Sequence, residues 1–376
     1  MKSRHKILFK TASGLNNIQD ESVCLVVTSP PYPMIEMWDS IFAAQDSGIQ
    51  AALESNNGNL AFELMHQLLD PVWQEVFRVL QPGGFACINI GDATRTIDNH
   101  FRLYANHARI LQRCLLLEFT NLPPIIWRKQ TNAPNKFMGS GMLPAGAYVT
   151  LEHEFVLILR KGNKREFMTP SAKKNRNQSA LFWEERNVWF SDIWQDLKGT
   201  GQRLNHADTR KRSGAFPFEL AYRLINMYSV KNDTVLDPFL GTGTTTLAAM
   251  TSNRNSIGFE IDPRFQEIIS DSVSRIVSFA NGYMQNRLAI HQDFITKRTA
   301  EKGPFKHINN VYGFPVVTKQ EKEILLNQLI GLKALNVTEY EVTYSEKPDP
   351  TFCKYWSGIL EQDNRVPDRH LRQTKR

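Results

Sequence analysis

The sequence predicts a doubly wound α/β fold with a mostly parallel sheet, and three observations carry that prediction. Short β-rich runs alternate with stretches of helical spacing along most of the 376 residues. Those runs are apolar throughout, as strands covered on both faces are. Gly and Pro punctuate the joints between them. In order, HKILF (5–9) and VCLVVTS (23–29) read as strands, and residues 61–80 carry apolar side chains at helical spacing. QPGG (81–84) ends that helix and opens a strand, FACINIGD (85–92). IIWRK (125–129) and EFVLILRKG (154–162) are further strands. FPFELAYRLINMYS (216–229) is a helix with proline in its first turn. Strand TVLDPF (234–239), turn LGTG (240–243), helix TTTLAAM (244–250), strand NSIGFEID (255–262) and helix 263–280 follow.

Composition bounds the class. Hydrophobic residues make up 41% and charged residues 22%, which suits a globular chain. The net charge of +7 permits a polyanionic partner without demonstrating one. Cys24, Cys87, Cys114 and Cys353 form no C-x-x-C pair, so neither a zinc cluster nor a disulfide framework is expected. No metal is expected. No signal peptide and no apolar stretch of membrane-spanning length is read, so the expectation is a cytoplasmic protein with no membrane partner.

Residues 161–212 interrupt the pattern with twelve Lys or Arg against six acids. Trp183, Trp189, Phe190 and Trp194 are interleaved with those charges. Basic residues mixed with aromatics favour a phosphate-tracking surface over a merely solvated face. The candidates for it are Lys173, Lys174, Arg176, Arg186, Arg203, Arg210, Lys211 and Arg212.

Two short stretches carry chemistry. In LDPFLGTGTTTLAAM (236–250), Gly241 and Gly243 allow a tight turn between strand and helix, where free N–H groups gather. There is no lysine after the glycines, which excludes a phosphate-binding P-loop. Thr246 stands where a dinucleotide fold wants its third glycine. An S-adenosylmethionine site instead needs an acid at the strand end for the methionine ammonium, and Asp237 supplies one. Glu260, ending the next strand, is placed to accept from both ribose hydroxyls. The second stretch is TSPPY (28–32), where two prolines stiffen the exit from an apolar strand and hold Tyr32 at the tip.

Together these stretches resemble the amino-DNA methyltransferases. Ser29-Pro30-Pro31-Tyr32 matches the family's (D/N/S)PP(Y/F) catalytic tetrapeptide, and Asp237 to Thr245 matches its DPF-x-G-x-G-T-T cofactor motif. The catalytic motif comes first, as in the permuted β class. The resemblance covers roughly residues 5–275 and implies a Rossmann-like methyltransferase core. It implies S-adenosyl-L-methionine as cofactor, held by Asp237, Pro238, Phe239, Gly241, Gly243, Thr244 and Glu260, with Phe216 and Thr11 nearby. The family's Gly-Asp after the first strand is missing from LFKTASG, which puts the adenine contact at Thr11 in doubt. The implied division is 1–160 and 213–280 for the two halves of the core, 161–212 for target recognition, and 281–376 for a C-terminal helical extension. Within that extension, residues 321–337 look like an amphipathic helix plus connector.

The implied reaction methylates an exocyclic amine of a base flipped from double-stranded DNA, within a restriction–modification system that includes a cognate endonuclease. The amine's lone pair is conjugated with its ring, so acceptors must draw its hydrogens out of plane. The Ser29 hydroxyl and the Pro30 carbonyl are such acceptors, and the Tyr32 ring stacks on the base. In the family that the chain resembles, Ser at the first position is associated with N4 of cytosine and Asp or Asn with N6 of adenine; the rationale is that a neutral hydroxyl can donate to cytosine N3 and a carboxylate cannot. N6 of adenine is the alternative. Cytosine C5 chemistry is excluded, because no cysteine follows a proline. Enzymes acting on protein glutamine or RNA place the cofactor motif first, unlike this chain. A non-catalytic DNA-binding module is disfavoured by the intact Ser29, Asp237, Gly241 and Gly243. Met34, Met37 and Trp38 follow the proline corner as candidate pocket walls, with core packing as the default.

Overall fold

The computed structural model describes residues 1–16, 18–129, 138–199, 216–350 and 353. Ten strands form one sheet: β1 Lys2–Phe9, β2 Val23–Thr28, β3 Leu80–Ile90, β4 Phe119–Arg128, β5 His153–Lys161, β6 Ile193–Trp194, β7 Thr234–Asp237, β8 Asn255–Glu260, β9 Leu329–Ala334 and β10 Glu339–Tyr344. Their spatial order is β6-β4-β5-β3-β2-β7-β8-β1-β10-β9. The central run β3-β2-β7-β8-β1 is parallel throughout. β5 and β10 run against their neighbours. The helices are α1 Asp39–Ala43, α2 Ser47–Glu54, α3 Gly58–Val79, α4 Asn106–Leu116, α5 Pro170–Gln178, α6 Trp183–Trp189, α7 Phe218–Tyr228, α8 Thr244–Thr251, α9 Phe265–Ser274 and α10 Ile276–Lys302.

The strands are apolar because both faces are covered. In β2, Val26 faces a cluster built with α3 and α4, while Leu25 and Val27 face α7 and α8. Helix α3 starts where the Asn57 side chain accepts from Leu60 N at 3.1 Å. Its buried stripe, Ala61, Met65, Leu69, Val72 and Val76, recurs every three or four residues. Burial of each of the four larger side chains is worth about 1.5–3 kcal/mol. QPGG lies inside β3 and so belongs to a strand longer than the sequence suggested.

Two expectations need correction. The aromatics among the basic residues are not a stacking platform throughout. Trp189 and Trp194 are buried in the core, and the Trp194 indole donates to Trp189 O at 3.0 Å. A buried indole needs that partner, which the charge count does not reveal. The C-terminal region is a helical extension only as far as Lys302. After α10 it makes a short 3-10 turn, Lys319–Glu323, and then β9 and β10, which enlarge the sheet beside β1. β9 falls inside the stretch 321–337 expected to be helical, and EYEVTY in β10, just beyond it, alternates buried and half-buried residues as a strand does. Helix α10 runs unbroken across residue 280, the expected boundary of the core.

Candidate active site

β2 and β7 are neighbours, with Val235 opposite Leu25 and Leu236 opposite Val26. Their carboxyl ends therefore open side by side, where open α/β sheets bind ligands. A cavity of about 350 Å³ lies there. Ser29, Pro30, Pro31 and Tyr32 line it from one side; Asp237, Pro238, Phe239, Gly241, Thr244 and Glu260 line it from the other. Thr11 and Phe216 complete the predicted set, whereas Gly243 stands behind the lining.

One hydrogen bond joins the two motifs directly. Thr28 Oγ1 donates to Asp237 Oδ1 at 2.6 Å. Phe239 N donates to the same oxygen at 3.0 Å, and Thr245 Oγ1 donates to Oδ2 at 2.6 Å. Asp237 thus ties the proline corner to the glycine turn. Burial pushes its carboxyl up to about 6, against the lowering effect of those three donors. The turn works because Gly241 (φ +55°) and Gly243 (φ +86°) take left-handed conformations. A Cβ at Gly243 would also stand 3.2 Å from Ile269.

Glu260 holds that turn from behind. Its Oε2 accepts from Gly241 N at 2.8 Å, and its Oε1 accepts from Asp262 N at 2.9 Å. Each carboxylate oxygen has capacity for a second donor, so two hydroxyls could still be accepted. Burial raises its pKa. With Phe259, Ile261 and Phe265 as apolar walls, this donor set fits a cationic, ribose-bearing, planar group such as S-adenosyl-L-methionine.

At the proline corner, Ser29 Oγ donates to Tyr32 OH at 3.1 Å. Its proton is engaged there, so it offers lone pairs to a ligand; the rationale that Ser29 donates to cytosine N3 does not hold in this arrangement. Tyr32 OH donates to Glu154 Oε2 at 2.9 Å and accepts from Asn89 Nδ2 at 2.8 Å. Lys129 Nζ pairs with Glu154 Oε1 at 2.8 Å. Burial, then the Glu154 carboxylate, keeps the Tyr32 phenol well above its usual pKa. Glu154, Asn89 and Lys129 are functional candidates that sequence reading missed. The signal available was the alternation along EHEFVLIL, in which successive side chains of β5 point to opposite faces of the sheet. Met37 and Trp38 line the cavity with Ile35, Ile41 and Phe42; Met34 instead is buried beneath them.

The predicted phosphate-contacting residues lie elsewhere or outside the described residues. Lys173, Lys174 and Arg176 sit on α5, away from the cavity lining. That helix is tied to the amino ends of the strands: Asn175 Nδ2 donates to Lys231 O at 2.8 Å, and Lys231 N to Ser179 Oγ at 3.0 Å. Arg186 is exposed on α6, with its guanidinium 5.3 Å from the Phe190 ring centroid. Arg203, Arg210, Lys211 and Arg212 lie outside the described residues. Among the described residues no cluster of three metal-ligating side chains occurs, and no helix is long and apolar enough to cross a membrane.

Comparisons with known proteins agree with this geometry. A Type II methyltransferase, M.MthZI of Methanothermobacter thermautotrophicus, is 49% identical over 347 residues, covering 92% of this chain and 96% of its own. M.MjaI of Methanocaldococcus jannaschii, also a Type II methyltransferase, is 49% identical over 72% of this chain and 91% of its own. A solved protein of Thermus thermophilus, described as a putative DNA modification methylase complexed with S-adenosyl-L-methionine, superposes with a TM-score of 0.57 at 33% identity. That match covers 73% of this chain and 94% of the other. The family model for DNA methylases of the N6/N4 type matches residues 23–271, from the strand before the proline corner to the helix after Glu260, and the chain belongs to that family.

Proposed function

We propose that this protein is a sequence-specific Type II DNA methyltransferase that methylates the exocyclic N4 amine of a cytosine flipped out of double-stranded DNA. It would act as the modification arm of a restriction system with a cognate endonuclease. The observation carrying this reading is that the SPPY corner and the acid-bearing glycine turn line one cavity and are joined through Thr28 and Asp237. S-adenosyl-L-methionine, when bound, supplies an electrophilic methyl group. Asp237 and Glu260 would hold its ammonium and ribose ends. Everything else falls to the chain. Tyr32 offers a ring face for the base, a contact of about 1–3 kcal/mol. Ser29 Oγ accepts from the amine and draws its hydrogens out of the ring plane. Trp38, Phe42 and Phe216 exclude water around it. Flipping is required because the amine is out of reach inside a duplex.

A second reading, N6 of adenine, is supported equally by one observation. With its own proton given to Tyr32, Ser29 is purely an acceptor, and an acceptor serves either amine. Digestion of methylated DNA followed by nucleoside mass spectrometry separates the two. N4-methylcytosine is expected; N6-methyladenine alone ends the cytosine reading, and no methylated base ends both.

A further inference from the structure

Beyond the stacking role of Tyr32, its hydroxyl lies in the middle of a line of hydrogen bonds that runs along one wall of the cavity, from Ser29 to Glu154. We propose that Glu154 is a positioning residue and the terminal proton acceptor of a relay, Ser29–Tyr32–Glu154, that drains the target amine as it is methylated. This inference rests on the amine-methyltransferase reading above.

The directions of the bonds carry the argument. Ser29 Oγ donates to Tyr32 OH at 3.1 Å, and Tyr32 OH donates to Glu154 Oε2 at 2.9 Å. Every proton in the line points toward the carboxylate, so each bond polarises the one before it. The Ser29 oxygen thereby becomes a stronger acceptor at the point where the amine needs one. The remaining contacts hold the line in place. Asn89 Nδ2 donates to both Tyr32 OH, at 2.8 Å, and Glu154 Oε2, at 2.7 Å. Asn89 is buried, and a buried amide placed between these two oxygens fixes their separation. Lys129 takes the other carboxylate oxygen at 2.8 Å, which leaves Oε2 to Tyr32 and Asn89. Gly91 leaves room for the pair: a Cβ there would stand 2.9 Å from Tyr32 Cε2 and 3.3 Å from Glu154 Cγ.

The step balances. The nitrogen–methyl bond forms as the carbon–sulfur bond breaks, with its electron pair left on sulfur. The amine's surplus proton passes to Ser29 Oγ, the Ser29 proton to the Tyr32 oxygen, and the Tyr32 proton to Glu154. The product amine is neutral, and the relay resets when Glu154 releases its proton. The ionisable groups facing Glu154 are Tyr32 from the proline corner and Lys129 from the end of β4. Its neighbour on β5, His153, turns edge-on to the Phe155 ring at 4.9 Å.

The test compares the full-length protein with Glu154→Gln, Tyr32→Phe and the double variant. Single-turnover transfer of tritiated methyl from saturating S-adenosyl-L-methionine to unmethylated random-sequence DNA is followed across pH in H2O and D2O. Glu154→Gln is expected to be roughly 10²-fold slower, the low end for a positioned proton transfer. It should lose the acid-side fall in rate and the solvent isotope effect that the wild type shows. Tyr32→Phe should be at least as slow, and the double variant no slower than the worse single, because the groups act as one unit. Cofactor affinity by calorimetry should stay within about threefold, since neither residue holds the cofactor in this reading. Independently of activity, the Tyr32 13Cζ resonance should move in Glu154→Gln without DNA or cofactor. A Glu154→Gln rate close to that of the wild type, a retained acid limb, additive losses, or lost cofactor binding would each overturn the relay. A wild type that labels no DNA, beside the expected Tyr32 resonance shift, instead overturns the methyltransferase reading.

Discussion

The two ends of the parallel sheet carry different electrostatics. At the carboxyl ends, Asp237, Glu260 and Glu154 gather around a cavity, and each is anchored by donors. At the amino ends, Lys231 is buried with its Nζ against Leu325 O at 2.5 Å, and Arg165 pairs with Asp233 at 2.7 Å. The first end holds anions ready for a cationic ligand. The second uses its charges to pack α5 and the C-terminal segment against the core. Basic residues on this second end are thus structural neighbours of the sheet, and their abundance in sequence says little about where DNA lies.

The largest expected effect is at the carboxyl end. Asp237→Ala strands Thr28, Thr245 and Phe239 N, each at about 1–3 kcal/mol. It should abolish cofactor binding by calorimetry and lower Tm; retained affinity would mean that the ammonium is held elsewhere. Next, Ser29→Ala should cut single-turnover methyl transfer roughly 10²-fold, the cost of one preorganised hydrogen-bonding group, while sparing cofactor affinity. Loss of affinity instead would merge the two halves of the cavity. Third, the ionised form of Asp237 is the one that attracts a cation. Because burial raises that carboxyl to about 6, cofactor affinity should hold above pH 6 and fall below it, by up to about tenfold per pH unit. A flat profile down to about pH 5 removes Asp237 from cation binding.

The amino end should respond through stability. Burial, followed by Arg254 and Arg287, lowers the Lys231 pKa from 10.5 to about 7. Between those values the unfolded chain keeps a proton that the folded chain has released, so stability rises with pH from about 7 upward. Lys231→Met should flatten that rise in Tm, with methyl transfer intact. The smallest effect belongs to α5. If Lys173, Lys174 and Arg176 touched phosphates, neutralising all three would lower the salt slope of DNA binding by about 2.7. The position of α5 predicts a change below about 1; a larger drop would bring DNA to the amino end after all.

Much of the site was legible because its chemistry is local. TSPPY and DPFLGTGT each declare a turn and a function within a few residues, and both fall at the cavity. What was not legible depended on partners far away in sequence. Glu154 reads as one acid among several before a strand until Tyr32, 122 positions earlier, gives it a task. Trp189 and Trp194 read as nucleic-acid contacts because the sequence shows the adjacent charges and not the α7 face that buries them. The strands β9 and β10 were hidden for the same reason, since EYEVTY acquires its meaning only beside β1.

That last pairing has a consequence for how the molecule is assembled. β1 lies between β8 and β10, so Lys6 meets Ile257 on one side and Glu339 on the other. Its ladder partners come from the far half of the chain, with Ser3 Oγ reaching Tyr344 OH at 2.8 Å. Loops that long close slowly. The opening strand is thus the keystone of the sheet: it joins the flank of the glycine turn to the C-terminal strands, and a chain interrupted before residue 339 would leave one side of that strand bare to other molecules.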